Sequence, residues 1–163
     1  MPPAPAITDL EQLRTHPAVA GLLERVPAAL EGAKFHYDEM TIDLKRSSLR
    51  EACSLLKFEL GFEYLADITA VDWYPSEPRF EVVYHLLAMK SRERVRLKVR
   101  LAGDDAHLES VTSVWPAANF FEREVYDLFG VRFAGHPNLR RIMMPEDWEG
   151  HPLRKDYPVE GYR

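Results

Sequence analysis

Residues 120–158 read FFEREVYDLFGVRFAGHPNLRRIMMPEDWEGHPLRKDYP. The first part is periodic. Phe121, Val125, Leu128 and Phe129 recur at helical spacing, Pro116 stands where a helix opens, and Gly130 stands where one closes. The second part has no period. Pro137, Pro145, Pro152 and Pro158 forbid helix continuation and remove donors from any sheet. A structureless segment of this length is either disordered or functional, and its content of Arg, His, Trp, Tyr and Met argues against disorder. The chain therefore divides into a globular domain over 1–134, with 1–8 frayed, and an extended Pro-rich C-terminal arm over 135–163. Between its prolines the arm carries Ile142, Met143, Met144, Trp148, Leu153 and Tyr157. Arg, Trp, Tyr and Met are enriched at interface cores, so the arm is expected to lie along another protein.

Working outward from that helix, the segments before it predict a sheet. Arg94, Arg96, Lys98 and Arg100 alternate with Val95, Leu97, Val99 and Leu101, and Phe80–Leu87 is apolar on both faces. With Lys90-Ser91 between them, these two strands form a hairpin. Phe62–Trp73 is aromatic and β-branched, a third strand. Lys34–Tyr37 and Met40–Leu44 flank Asp38-Glu39 as a second hairpin, and Val111–Val114 reads as a short strand. Three helices precede the last one. The first starts at Thr8 or Asp9 and carries Leu10 and Leu13. The second opens at Pro17 with Val19, Leu22, Leu23 and Val26 inward. The third has a capping box at Ser48 and Glu51, with Leu49, Ala52, Cys53, Leu56 and Leu60 at helical spacing before Gly61. The fold class is α+β: a two-layer domain of a mixed, mainly antiparallel sheet with helices on one face, plus the arm.

Composition narrows the function classes. The chain has 163 residues, enough for one core without staples. Its one cysteine, Cys53, is expected to be a buried structural thiol and rules out an internal disulfide or a multi-cysteine metal site. No run of about 18 apolar residues exists to span a membrane. The N-terminus lacks the pattern of a secretory signal. A net charge of −5 disfavours nucleic acid as a partner. No glycine-rich phosphate loop appears. The chain is expected to be soluble and cytoplasmic.

Three groups of residues are candidates for chemistry. Glu122, Glu124 and Asp127, with His136, offer a carboxylate cluster for metal or acid–base work, against a solvated face or a salt-bridge network near the tail. Spacing favours the solvated or salt-bridged face. Gly135-His136-Pro137 with Leu139-Arg140-Arg141 is echoed by Gly150-His151-Pro152 with Leu153-Arg154-Lys155. Two histidines are too few for structural zinc, so capping or hydrogen-bonded packing is expected of both. The basic row of Arg94, Arg96, Lys98 and Arg100 offers cations about 7 Å apart but no interleaved aromatics, so it reads as a solvated outer face or an edge strand guarded by charge.

Glu122-Arg123-Glu124, two residues, Asp127-Leu128-Phe129, six residues, His136, three residues, Arg140 and then Ile142-Met143 resembles the signature of the C subunit of proton-pumping NADH–quinone oxidoreductase, the 30-kDa-type family of respiratory complex I. Pro145–Pro158, Asp67–Asp72 and Trp115–Asn119 resemble it as well. The resemblance implies a non-catalytic assembly subunit of the peripheral arm, with no catalytic, cofactor-binding or metal residues of its own. FMN and iron–sulfur clusters would sit in neighbouring subunits. The D subunit would be the main partner, with the B subunit and other peripheral-arm subunits nearby. Partner contacts are expected from Arg140, Arg141, Met143, Met144, Trp148, His151, Leu153, Arg154 and Tyr157. Membrane association would come through the complex only, on the cytoplasmic side of the plasma membrane. The alternative is the homologous subunit of a membrane-bound hydrogenase or another donor-dependent quinone oxidoreductase.

Overall fold

The alternating segments pair into one sheet in the computed structural model, which describes residues 5–161. Its strands are β1 (Leu30–His36), β2 (Glu39–Leu44), β3 (Tyr64–Asp72), β4 (Phe80–Leu87) and β5 (Arg94–Leu101), in the order β1-β2-β5-β4-β3. β1–β2, β3–β4 and β4–β5 are antiparallel, and β2–β5 is parallel. One face of each strand is apolar. Met40, Ile42, Phe80, Val82, Tyr84, Val95, Leu97 and Val99 are buried there. The helices α1 (Leu10–Leu13), α2 (Pro17–Arg25), α3 (Leu49–Phe58) and α4 (Ala118–Phe129) bring Val19, Leu22, Leu49, Cys53, Leu56 and Val125 into the same core. The fold is the expected two-layer α+β arrangement. A pair of three-residue strands, β6 (His107–Glu109) and β7 (Arg132–Ala134), runs parallel beside it.

The basic row lies on the other sheet face, and β5 is the central strand rather than an edge. Each of three cations there has an acidic neighbour. Arg96 pairs with Glu39, while Lys98 and Arg100 grip Glu81 at 2.8 and 3.0 Å. Arg100 also stacks over the Trp73 ring. Glu81 is thereby buried beneath their aliphatic stems.

Local chemistry departs from the sequence reading in five places. The first hairpin turns on Tyr37-Asp38, both at positive φ (51° and 57°), with His36 opposite Glu39. This is the mirror-image turn that matches strand twist, one residue earlier than Asp38-Glu39. The capping box at Ser48 does not form: a 3-10 turn over Arg46–Ser48 runs directly into α3, and the Ser48 side chain caps nothing. Val111–Val114 is a turn, and β6 precedes it. Helix α4 starts at Ala118, two residues after Pro116. Of the frayed lead expected over 1–8, residues 1–4 lie outside the described residues, and Ile7 is tied to Phe35 by two backbone bonds.

Candidate functional site

Helix α4 has the amphipathic pattern read from its sequence, with two carboxylates on its buried side. Glu122 and Asp127 are both fully buried. Glu122 accepts from Ser110 Oγ at 2.7 Å and from the Val111 amide at 2.7 Å. Burial pushes its carboxyl up to about 7, with those two donors pulling the other way. It fastens the 110–115 turn to the helix.

Asp127 fastens the tail. One oxygen, Oδ2, accepts three consecutive amides, from Ile142, Met143 and Met144, at 2.9, 2.7 and 2.8 Å. Oδ1 accepts Arg141 Nη1 at 2.6 Å. Burial alone would raise this carboxyl, but the Met144 amide, Arg141 and the neighbouring amides hold it below the usual range. Arg141 also donates to the Trp148 and Gly150 carbonyls, which closes the 142–150 loop. Arg123 donates to the Arg140 and Arg141 carbonyls from the helix side.

Further along, the tail caps the helix. The last carbonyls of a helix lack intrahelical partners. Here Asp127 O accepts His151 Nδ1 at 2.9 Å, Leu128 O accepts the Leu153 amide at 3.0 Å, and Phe129 O accepts Arg154 Nε at 2.6 Å. Gly130 makes this approach possible. Its φ is 76°, and a Cβ there would lie 2.5 Å from Arg154 Nη2 and 2.6 Å from the His151 ring. Burial lowers the His151 imidazole, with Arg154 and Arg141 adding to the effect.

A second clasp holds the end of the tail. Asp72, at the end of β3, accepts the Lys155 amide at 2.8 Å and Arg79 at 2.9 and 2.8 Å. Arg79 also grips Asp156 at 2.9 and 2.6 Å and packs on the Tyr74 and Phe80 rings. Burial opposes ionisation of Asp72, yet Arg79 and the Lys155 and Tyr74 amides bring its carboxyl down to about 2.

The segment 135–161 is thus a strap folded back in turns over α4, where the sequence predicted an extended arm. Arg141, His151 and Arg154, expected to face a partner, point into the domain. Met144 and Tyr157 are half-buried, and the Tyr157 hydroxyl donates to Glu149 O. Arg140, Met143, Trp148 and Leu153 point outward. Glu124 is exposed, Leu128 half-buried and Phe129 buried. His136 is a packing group, its Nε2 on Asn119 O and its Nδ1 accepting from the Asn138 amide. The carboxylate cluster does not assemble, since Glu122 and Asp127 each serve separate protein donors. Among the described residues no group of three or more His, Cys, Asp and Glu is placed to hold a metal. Asp72, Arg79 and Asp156 were missed as strap residues. Their only sequence signal is an aspartate closing a strand, and its partner Lys155 lies 83 positions away.

The sequence model of the family described as respiratory-chain NADH dehydrogenase, 30 Kd subunit, matches residues 42–163. The C subunit of NADH-quinone oxidoreductase from Citrifermentans bemidjiense is 44% identical over 88% of this chain and 89% of its own. The protein of the same name from Geobacter metallireducens is 45% identical over 90% of this chain and 91% of its own. Among solved structures, a trypsin-resistant fragment (1–134) of Nqo5 is 38% identical, with a TM-score of 0.58 over 62% of this chain and 83% of that one. A chain of the archaeal membrane-bound sulfane sulfur reductase is 30% identical, with a TM-score of 0.76 over 90% of this chain and 86% of that one.

Proposed function

The chain belongs to the respiratory-chain NADH dehydrogenase 30 Kd subunit family, and from that premise we propose that it is a non-catalytic assembly subunit whose strapped tail presents a preformed docking ledge. It is the C subunit of NADH–quinone oxidoreductase, complex I, and takes part in electron transfer from NADH to quinone as a member of that complex. FMN and the iron–sulfur clusters are assigned to neighbouring subunits. The D subunit is the main partner, with the B subunit and other peripheral-arm subunits close by. The protein sits on the cytoplasmic face of the plasma membrane, held there by the complex. No helix among the described residues is long and apolar enough to cross a membrane.

One observation supports the docking role above others: the strap is inverted. Arg141, His151 and Arg154 face the domain, while Met143, Trp148 and Leu153 are 58%, 41% and 51% exposed. Apolar and aromatic side chains held outward on a backbone already ordered suit a partner surface, since little ordering entropy is then lost on docking. Co-purification with the tagged chain tests the reading. The D and B subunits are expected among its partners, and a chain cut before Gly135 is expected to fold yet recover neither. Recovery of both by the truncated chain would overturn the docking role of the tail. The solved fragment of Nqo5 is itself trypsin-resistant, which favours a domain that survives loss of its tail.

The likeness to the sulfane sulfur reductase chain over most of this sequence favours one second reading, the homologous subunit of a hydrogenase-like or other donor-dependent complex. The genes beside this one separate the two: flavoprotein subunits that bind NADH for complex I, hydrogenase maturation genes for the other.

A further inference from the structure

Where the strap crosses the end of α4, a cavity of about 540 Å³ opens at the seam. Tyr126 and Gly130 line it from the helix end, Arg132 from β7, His151 and Arg154 from the strap, and residues 103–107 from the loop that enters β6. The size suits a small ligand, but such sites are ordinarily apolar, and this one is lined mainly by polar and charged residues.

The cations there differ in what they already hold. Arg154 is fixed in place: its Nε donates to Phe129 O at 2.6 Å and its guanidinium lies over the Phe80 ring. Arg132 is paired through its backbone to His107 and Ala106, but its side chain has no hydrogen bond or ion pair among the described residues. The Tyr126 hydroxyl has no hydrogen bond among them either, and its ring stands edge-on to His151 at 6.3 Å. Two carboxylates oppose these groups. Asp105 is already engaged, by Arg46 and by His107 Nδ1, each at 2.6 Å. Asp104 is exposed on the rim. A helix C-terminus also repels anions through its bare carbonyls. Here that repulsion is blunted, because Asp127 O, Leu128 O and Phe129 O are all taken by strap donors.

We propose that this cavity binds a small oxyanion, a phosphate or a carboxylate group, in the fork of Arg132, with Arg154 as a second cation and the Tyr126 hydroxyl as a neutral donor. A guanidinium fork matches either group with two parallel hydrogen bonds. The site needs no partner subunit, so it is independent of the docking role.

The test titrates the isotope-labelled full chain with sodium phosphate and, separately, with sodium succinate, against sodium chloride at matched ionic strength, and follows backbone amide NMR shifts. Phosphate or succinate should give saturable shifts at Tyr126, Gly130, Arg132 and His151 that chloride does not. Tighter binding of phosphate assigns the site to a phosphate group, and tighter binding of succinate assigns it to a carboxylate. Arg132→Ala should weaken binding by about tenfold or more, the loss of a charge-assisted pair. It should do so at unchanged Tm, because that side chain is exposed and pairs with no described residue. Asp104→Asn should tighten binding about threefold by removing the rim charge. Shifts that stay linear with both salts overturn the proposal, and so does an Arg132→Ala chain that binds as tightly as the wild type.

Discussion

Glu122 and Asp127 lie on one helix, both fully buried, and their carboxyls are displaced in opposite directions, Glu122 up and Asp127 down. The difference is in what faces them. Glu122 meets one hydroxyl and one amide, too little to offset burial of a charge, whereas Asp127 meets three amides and a guanidinium. The sign for Glu122 follows from linkage. Its folded value of about 7 exceeds the ordinary glutamate value of 4.5, so the folded state holds an extra proton between those limits. Its contribution is full below about 4.5 and is lost as pH rises through about 7. Glu122→Gln keeps the acceptor and removes the titration. Denaturant unfolding of this variant should therefore show a flatter dependence between pH 5 and 8, and at pH 8 it should match or exceed the wild type, by up to about 3 kcal/mol. An unchanged slope would locate the titration elsewhere. Neither environment was legible in the sequence. Glu-Arg-Glu beside an apolar stripe reads as a solvated face, and the donors that decide the matter come from turns without periodicity. The Cys53 thiol, by contrast, was legible as buried, because it lies on the helical stripe itself.

Helix α4 and the strap form one unit, for each completes the hydrogen bonds of the other. The helix supplies Asp127 to three strap amides, and the strap supplies caps to three helix carbonyls. Asp127→Asn keeps the shape and removes the charge. Charge-assisted hydrogen bonds contribute about 1.5–3 kcal/mol each, so the variant strap should open on the order of 100-fold more often than the wild type. Trypsin cleavage at Arg140 and Arg141 should rise accordingly. Equal resistance of variant and wild type would show that the caps hold the strap without the carboxylate. Acid should act in the same way. Asp72, at about 2, and Asp127 are both depressed, so their contribution is present above about pH 4 and lost as pH falls toward 2. The loss of helical period after Gly130 and the prolines that follow it were legible. The tail's return to the domain was not, because a turn-rich segment carries no period that says which surface it meets.

The whole molecule separates two kinds of surface. On one sheet face Arg96, Lys98 and Arg100 are engaged by Glu39 and Glu81, which leaves those cations with partners inside the domain. On the strap side, apolar groups are held outward by polar clasps beneath them. The layering of the domain was legible from alternation in β4 and β5 and from the helical stripes. The inversion of the strap was not, since Arg, Trp and Met at an interface look alike in sequence whether they face a partner or their own domain. The structure now divides them. Arg154 caps α4, so Arg154→Ala should lower thermal stability and assembly together. Arg140 is exposed, and Arg140→Ala should weaken assembly alone. Met143, Trp148 and Leu153 make no capping bond through their side chains, so the triple alanine variant should unfold within about 2 °C of the wild type. The same variant should bind its proposed partner, the D subunit, at least tenfold more weakly, the loss expected when apolar anchors leave an interface. Calorimetry and a binding titration on one preparation distinguish the outcomes. Weak binding at unchanged Tm places the docking ledge on the strap, and full binding by the triple variant moves it to another face of the domain.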